Sequence, residues 1–443
     1  MSNSIVIKNK ISNFKKVINV AGDKSISIRW VLFSSLANGV STAKNLLISE
    51  DVLAAINAIK KLGIKSKLNK NYCKIYGKGI NGYKYKKNLT INAQNSGTLG
   101  RLILGLIIDT PYPIRVIGDK SLSKRDFKRI SDPLKKFGAK FKLKNNRTLP
   151  LIIKGSSKLK SINYFERRGS AQCKSSVIFA AIKANGETKI KAKKSRNHTE
   201  LLCRYLNIPI KINSENNYDY IKVKSVNKIN KLDYNIPSDI SSSAFFIVLT
   251  ILSSRSSLKI KNVNINPSRT GVITILNKMG AKIVFKNKKF YKGEQIADIY
   301  VKSKKILKSI NCPKKYNSSA IDEFLIIFLV AAKAKGISYF KNLKELNQKE
   351  SRRLDWGSKI LNMIGIKTKL TNHSIKIYGN PNLKLNKSYE IKNYLKDHRI
   401  MAMCTIAALT LGGKWIIKDA ESIKTSFPSF LKIVKKLGGK IYK

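Results

Sequence analysis

Acidic residues, histidine, cysteine and long apolar runs are all scarce in this chain of 443 residues. Three histidines argue against a His-rich metal centre. The five cysteines, Cys73, Cys173, Cys203, Cys312 and Cys404, show neither CxxC pairing nor metal-ligand spacing, so free thiols in a reducing compartment are expected. The longest apolar runs, Phe324 to Ala332 and Ala244 to Leu252, fall far short of the roughly twenty residues that span a bilayer. The N-terminal stretch up to Gly22 alternates like a strand and lacks the apolar core of a signal peptide. A cytoplasmic protein with no membrane association is expected.

Only 25 Asp and Glu stand against 88 Lys and Arg, a formal net charge of +63. Such a balance can mark a partner of nucleic acid or of an anionic membrane. Here lysine is spread along every segment, with no basic tail and no arginine-aromatic stripe, and it is enriched together with Asn and Ile. The charge therefore reads as a chain-wide compositional bias, and no nucleic-acid partner is expected. With 43% hydrophobic residues the chain can bury a sizeable interior, and its length suggests two domains.

What the chain does contain is one pattern, repeated. Gly22-Asp23-Lys24-Ser25-Ile26-Ser27-Ile28-Arg29 leads into the apolar run Trp30 to Ala37. That order predicts a buried helix with Asp23 to Ser25 at its N-terminus, where unpaired N–H groups and the helix dipole favour a negative group. Lys24, Ser25 and, one turn on, Arg29 would make a socket for a phosphate or carboxylate, although a capped surface helix could carry the same residues. Similar openings recur at Asn95-Ser96-Gly97-Thr98, Gly169-Ser170-Ala171-Gln172, Ser238-Asp239-Ile240-Ser241, Ile321-Asp322-Glu323 and Asp397-His398-Arg399.

After each opening come an apolar helix, a strand and a second, amphipathic helix. In the first copy the strand is expected at Ala43 to Leu47. The second helices stop at Gly63, Gly138, Gly280, Gly365 and Gly438, while the third copy, with its helix around Leu201 to Leu206, lacks the glycine. A spacing of roughly 70 to 85 residues suits a small mixed α/β unit and implies duplication. Two groups of three units, divided near Pro237 and crossing again near residues 20 to 22, could aim six helix N-termini into one anion-attracting cleft that closes over a hinge.

Laid in order, GDKSISIR at 22, NSGTLGR at 95, GDKSLSKR at 118, GSAQCKS at 169, SRNHTE at 195, PSDISSSAFF at 237, NPSRTG at 266, IDEF at 321, QKESRR at 348, DHRIMA at 397 and SFPSF at 426 resemble the 5-enolpyruvylshikimate-3-phosphate synthase family over nearly the whole length. The resemblance implies an α/β fold, the two-domain inverse α/β prism of enolpyruvyl transferases, built from six βαβαββ units. Residues 22–237 would form the N-terminal domain and residues 1–21 plus 238–443 the C-terminal one, with two hinge crossings. It also implies transfer of the enolpyruvyl group of phosphoenolpyruvate to the 5-hydroxyl of shikimate 3-phosphate, releasing phosphate, with no metal or organic cofactor. The expected partners are these two small molecules, and the expected state is a monomer.

Residue by residue, the resemblance assigns Lys24, Ser25, Arg29, Ser170, Ala171, Gln172, Ser195, Arg196, Asp322 and Lys349 to shikimate 3-phosphate. Lys24, Gly97, Arg125, Gln172, Arg353 and Arg399 go to phosphoenolpyruvate. Asp322 is implied as proton acceptor for the 5-hydroxyl, and Glu350 or Lys24 as proton donor to the methylene carbon. Read without the family, Gly97 is a turn glycine, the serines are helix-start residues, Asp322 is a helix N-terminal acid, and Glu350 with Arg353 is an i,i+3 pair on one helix. The chain departs from the family pattern at Asp126, where proline is usual, and at Asn347, Gln348 and Arg352. Lys424 is one place off a lysine some relatives use, and is left out of the site. Two rivals remain: the UDP-N-acetylglucosamine enolpyruvyl transferases, whose mobile-loop cysteine has no counterpart in Thr110 to Arg125, and a basic nucleic-acid-binding protein.

Overall fold

The structure is a computed structural model that describes residues 4–70 and 72–442. Residues 1–3, which the sequence reading places in the 1–21 segment, and residues 71 and 443 lie outside the described residues. Helices come in pairs along the chain: α1 (Lys24–Leu36) with α2 (Glu50–Lys61), α3 (Gly97–Leu106) with α4 (Lys128–Lys135), α5 (Ala171–Ala181) with α6 (His198–Tyr205), and α7 (Ile240–Leu252) with α8 (Gly271–Lys278). A single turn, α9 (Asn317–Ala320), precedes α10 (Phe324–Ala332) and α11 (Arg353–Met363), and α12 (His398–Leu411) and α13 (Phe430–Lys436) complete the set.

The opening helices start where a short polar side chain can satisfy a first-turn N–H. Asp23 accepts from Ile26 N at 3.0 Å, Ser96 from Leu99 N at 3.3 Å, Ser170 from Cys173 N at 3.3 Å, Asp239 from Ser241 N at 2.7 Å and Asp397 from Arg399 N at 3.0 Å. Each such cap stabilises its helix by about 1 kcal/mol. Helix α10 has no side-chain cap, because the carboxylate of its N-cap residue, Glu323, is turned to Ser241 and Arg399. Every residue of α10, which is apolar all round, is buried, and so is every residue of α1 from Ile26 on, Arg29 and three serines included.

The closing helices end in a left-handed residue: Gly63, Gly138, Gly280, Gly365 and Gly438 have φ between 82° and 112°. In the third repeat Asn207, at φ 55°, takes that place after α6, which is how this copy stops without a glycine. The first repeat's strand is Asn38–Lys44, earlier than the expected Ala43 to Leu47. Its register is set by antiparallel pairing with Tyr72–Lys78, and Leu46 and Leu47 are buried loop residues whose apolar character mimics a strand.

The sheets repeat one order, with the first strand parallel to the second, the second antiparallel to the fourth, and the fourth antiparallel to the third. Thr90–Asn92, Ile114–Ile117, Thr148–Lys154 and Lys140–Lys144 show it plainly. Asn163–Glu166, Glu187–Lys193, Tyr218–Lys224 and Ile210–Glu215 repeat it. In the first repeat the leading strand is only Tyr234–Asn235, returning from far along the chain to lie parallel to Asn38–Lys44. Lys15–Ile18 likewise leads the sheet containing Ser257–Asn264, and Leu307–Lys308 leads the next. The sixth sheet has three strands, with Leu385–Ile391 parallel to Gly412–Ile417 and Ile5–Ile7 antiparallel to it; Tyr442 adds an isolated bridge to Val6.

Two compact units result. The N-terminal unit is Gly22–Ile236 plus the turn Tyr291–Glu294, and the C-terminal unit takes the chain up to Ala21, Pro237–Phe290 and from Gln295 on. Pro237 thus falls with the C-terminal unit, and Tyr291–Glu294 leaves the segment that the sequence reading kept whole. The turn is held in the N-terminal unit by Glu294, 2.6 Å from His198 Nδ1, and by the Tyr291 hydroxyl, which accepts from Asn235 N at 2.9 Å.

Within the N-terminal unit α3 and α5 touch backbone to backbone. A Cβ on Gly105 would lie 2.0 Å from the Ser176 carbonyl, so only glycine fits. Phe33 of α1 stacks on Phe179 of α5 at 4.7 Å. The C-terminal unit is filled around Phe246, Phe427 and Phe430 on one side and Phe324, Phe328 and Phe340 on the other. All five cysteines are buried free thiols; burial pushes Cys73 and Cys312 up to about 11, which keeps them protonated and unreactive near neutral pH. Among the described residues, no helix is long and apolar enough to cross a membrane.

Candidate active site

In the N-terminal unit Lys24 is the first residue of α1, and its ammonium lies 3.0 Å from Asp51 Oδ2. Arg29, one turn on, is 3% exposed. Its Nη1 donates to the Ser25 carbonyl at 3.0 Å, its Nε to Thr199 Oγ1 at 2.7 Å and its Nη2 to Ser175 Oγ at 3.0 Å. Ser25 therefore takes part through its backbone here.

Gly97 begins α3, and a Cβ at this position would lie 2.9 Å from Nη1 of both Arg101 and Arg125. A side chain there would displace a guanidinium. Arg125 follows a 3₁₀ turn, Leu122–Lys124, and donates to Asn95 Oδ1 at 3.1 Å and Ser121 Oγ at 3.2 Å. Asp119 braces that turn, accepting from Asn95 Nδ2 at 2.5 Å and from Leu122 N at 2.7 Å. Asp126, at the usual proline position, accepts from Arg129 N and Arg147 Nη2, both at 3.3 Å, so it helps start α4.

Gln172 bridges two helices: its Oε1 accepts from Arg101 Nη1 at 2.5 Å and its Nε2 donates to Thr98 Oγ1 at 3.1 Å. Ser170 caps α5 and its N–H donates to Glu166 Oε2 at 2.8 Å; Ala171 is the first helical residue. Strands Asn163–Glu166 and Glu187–Lys193 run parallel with Glu166 opposite Ala192, so the loops carrying Ser170 and Ser195-Arg196 emerge from neighbouring strands. Ser195 Oγ is buried and has no hydrogen-bond partner among the described residues.

The C-terminal unit gathers Asp322, Lys349, Glu350, Arg353 and Arg399 into one cluster. Asp322 Oδ1 is 3.2 Å from Lys349 Nζ and 3.2 Å from Arg353 Nη1. Arg353, 1% exposed, also pairs with Glu350 and sends Nε to Asp397 Oδ2 at 2.9 Å and Nη2 to Asp397 Oδ1 at 3.2 Å. Burial works against its charge, but Asp397, Glu350 and Asp322 outweigh burial and hold the guanidinium well above its ordinary pKa. Arg399 Nη1 donates to the Asp322 carbonyl at 2.7 Å and lies 3.4 Å from Glu323 Oε1. Glu323 in turn accepts from Ser241, whose Oγ accepts from Arg269 Nη2 at 2.5 Å. The starts of α7, α10 and α12 are thus tied together by buried arginines.

Glu350 and Arg353 do pair, but not as neighbours on one helix. Lys344–Gln348 is a 3₁₀ turn, the chain from Lys349 to Arg352 is irregular, and Arg353 begins α11. Two contacts shape this break. Asn347, one of the departures from the family pattern, accepts from Leu354 N at 2.9 Å and donates to Asp355 Oδ1 at 2.9 Å, and Ser351 Oγ donates to Asp397 Oδ2 at 2.8 Å. Arg352 makes a largely exposed pair with Asp355, and Lys424 an exposed one with Glu421, so both stand at the surface.

Several residues of these networks were not singled out from sequence: Arg101, Ser175, Thr199, Ser241, Arg269, Glu323 and Asp397. All fall within the motif segments or beside a flagged residue, yet only the contacts give them a purpose.

Residues 8–434 match the family profile of EPSP synthase (3-phosphoshikimate 1-carboxyvinyltransferase). The chain belongs to the EPSP synthase family. The 3-phosphoshikimate 1-carboxyvinyltransferase of Ruthia magnifica subsp. Calyptogena magnifica is 39% identical over 423 residues, 95% of each chain. That of Endomicrobium trichonymphae is 36% identical over 434 residues, 97% of this chain and 99% of its own. The structure of EPSP synthase from Acinetobacter baumannii matches with a TM-score of 0.86 at 34% identity, covering 99% of both chains. The enolpyruvyl transferase NikO from Streptomyces tendae matches with a TM-score of 0.77, covering 100% of this chain and 99% of that one; at 12% identity this likeness shows the fold alone. The fold of this family member is the inverse α/β prism of enolpyruvyl transferases.

Proposed function

We propose that the two clusters are the substrate-handling groups of a 3-phosphoshikimate 1-carboxyvinyltransferase. The enzyme transfers the enolpyruvyl group of phosphoenolpyruvate to the 5-hydroxyl of shikimate 3-phosphate and releases phosphate, a step of the shikimate pathway. Family membership across residues 8–434 carries this conclusion.

Both substrates are multiply anionic, and cations fixed in a site of low polarity attract them far more strongly than the same cations in water. Lys24, Ser25, Arg29, Ser170, Ala171, Gln172, Ser195 and Arg196 hold shikimate 3-phosphate. The buried hydroxyl of Ser195, which has no hydrogen-bond partner among the described residues, supports this, since a phosphate oxygen would satisfy it. Gly97, Arg125, Gln172, Arg353 and Arg399, with Lys24, hold phosphoenolpyruvate, the arginines offering the planar fork that a carboxylate or phosphate accepts. Lys349 contacts shikimate 3-phosphate beside Asp322.

In the reaction Asp322 accepts the 5-hydroxyl proton as that oxygen adds to C2 of phosphoenolpyruvate. Glu350 or Lys24 gives a proton to the methylene carbon, which becomes a methyl group. Phosphate then leaves the tetrahedral intermediate while the methyl group returns a proton, restoring the double bond. Arg353 couples binding to this chemistry: four of its five N–H groups already meet Asp322, Glu350 and Asp397, so a substrate carboxylate competes with Asp322 and Glu350 and releases them. Exclusion of water protects the intermediate. In this reading the enzyme is a cytoplasmic monomer that binds no nucleic acid, its lysines being spread over every segment.

Phosphate release by the purified enzyme tests the reaction. Release is expected only when phosphoenolpyruvate and shikimate 3-phosphate are both present. Release with UDP-N-acetylglucosamine in place of shikimate 3-phosphate, or none with the proper pair, would reject it.

A further inference from the structure

Arg29 is gripped by two hydroxyls from two other helices. Thr199 Oγ1 accepts from its Nε at 2.7 Å, Ser175 Oγ from its Nη2 at 3.0 Å and the Ser25 carbonyl from its Nη1 at 3.0 Å. Thr199 Oγ1 also donates to Ser175 Oγ at 2.7 Å, so the two hydroxyls form one unit across two edges of the guanidinium. Both residues are fully buried. Two hydroxyls that accept from different nitrogens of one guanidinium fix its direction.

The hydroxyls come from α5 and α6, and a buried ion pair beside them ties these helices together. Lys174, the residue before Ser175, lies 2.6 Å from Oε1 of Glu200, the residue after Thr199, with side-chain exposures of 0% and 1%. Asp219 on strand Tyr218–Lys224 stands 3.6 Å from the same ammonium. Helix α6 has only eight residues and no side-chain N-cap bond, so contacts of its first turn must fix its position. Three successive residues supply them: His198 meets Glu294 of the Tyr291–Glu294 turn, Thr199 meets Arg29 of α1, and Glu200 meets Lys174 of α5.

We propose that Ser175 and Thr199 are positioning residues that aim Arg29 at shikimate 3-phosphate, with the Lys174–Glu200 pair setting the separation of the helices that carry them. This rests on the reading of Arg29 as a shikimate 3-phosphate ligand. Losing one hydroxyl leaves the charge of Arg29 in place and frees its direction, so the effect falls on one substrate.

Thr199→Val, nearly the same shape without the hydroxyl, tests it, with Ser175→Ala as a second variant should the first fold poorly. Equilibrium titration is expected to show about tenfold weaker binding of shikimate 3-phosphate, with the KM for phosphoenolpyruvate and kcat at saturation within about twofold of wild type. Thr199→Ser should restore the affinity. A merely structural role would instead lower Tm and weaken both substrates together. Wild-type affinity in Thr199→Val and Ser175→Ala, alongside lost affinity in Arg29→Ala, would overturn the inference and spare the Arg29 assignment. Undiminished affinity in Arg29→Ala would remove the assignment and the inference with it.

Discussion

Asp322→Ala is expected to bind shikimate 3-phosphate and yet turn over about 10² to 10⁴ times more slowly than wild type. The carboxylate sits at the entrance to α10, held by Lys349 and Arg353, each at 3.2 Å, and its own carbonyl accepts from Arg399 at 2.7 Å. Its backbone role survives truncation; the proposed proton-accepting role does not. The groups around Arg29 and Ser195 proposed to hold shikimate 3-phosphate belong to the other unit and keep their contacts, so binding should persist. Steady-state kinetics beside a shikimate 3-phosphate titration checks both halves. Near-normal turnover would take the base assignment from Asp322, and lost binding with unchanged kcat would make it a ligand only.

The second large effect is expected at Arg353. Arg353→Met would leave Asp397, Glu350 and Asp322 facing one another without the guanidinium that now meets all three. Removing one partner of a buried ionic cluster costs about 3 to 5 kcal/mol, far more than the intact cluster contributes over an apolar replacement. A Tm about 10 °C lower is therefore expected. The KM for phosphoenolpyruvate should rise about a hundredfold while binding of shikimate 3-phosphate stays close to wild type. A variant as stable as wild type, with an unchanged KM for phosphoenolpyruvate, would mean that Arg353 neither balances the acids nor grips the substrate.

How much of this the chain discloses before folding depends on range. The helix openings were legible because capping is local: Asp23, Ser96, Ser170, Asp239 and Asp397 each act within three residues of themselves. The glycine stops were legible for the same reason, and Asn207 was not, since asparagine adopts the left-handed region less regularly than glycine. Pairings over long separations were not legible. Tyr234–Asn235 is too short to show a strand pattern, and its partner strand lies almost two hundred residues earlier. The transfer of Tyr291–Glu294 to the N-terminal unit depends on His198, which is distant in sequence.

In the site, motif segments pointed to the right neighbourhoods, but which side chain grips which was hidden. Glu350 and Arg353 look like a helical pair by spacing alone, and it takes Asn347 and Ser351 to show why the chain breaks there. Thr199 lies between a histidine and a glutamate of greater chemical interest, and nothing in that order says it will touch Arg29.

The central proposal, that Glu350 or Lys24 protonates the methylene carbon of phosphoenolpyruvate and the resulting methyl group then returns a proton, is tested most directly by running the reaction in D2O and weighing the product. Protonation of the methylene carbon makes a methyl group that must lose one hydrogen again, so deuterium should appear in the vinyl group of part of the product from wild type. Product formed at full rate with no deuterium in that group would contradict the account, because the carbon would never have been protonated from exchangeable groups.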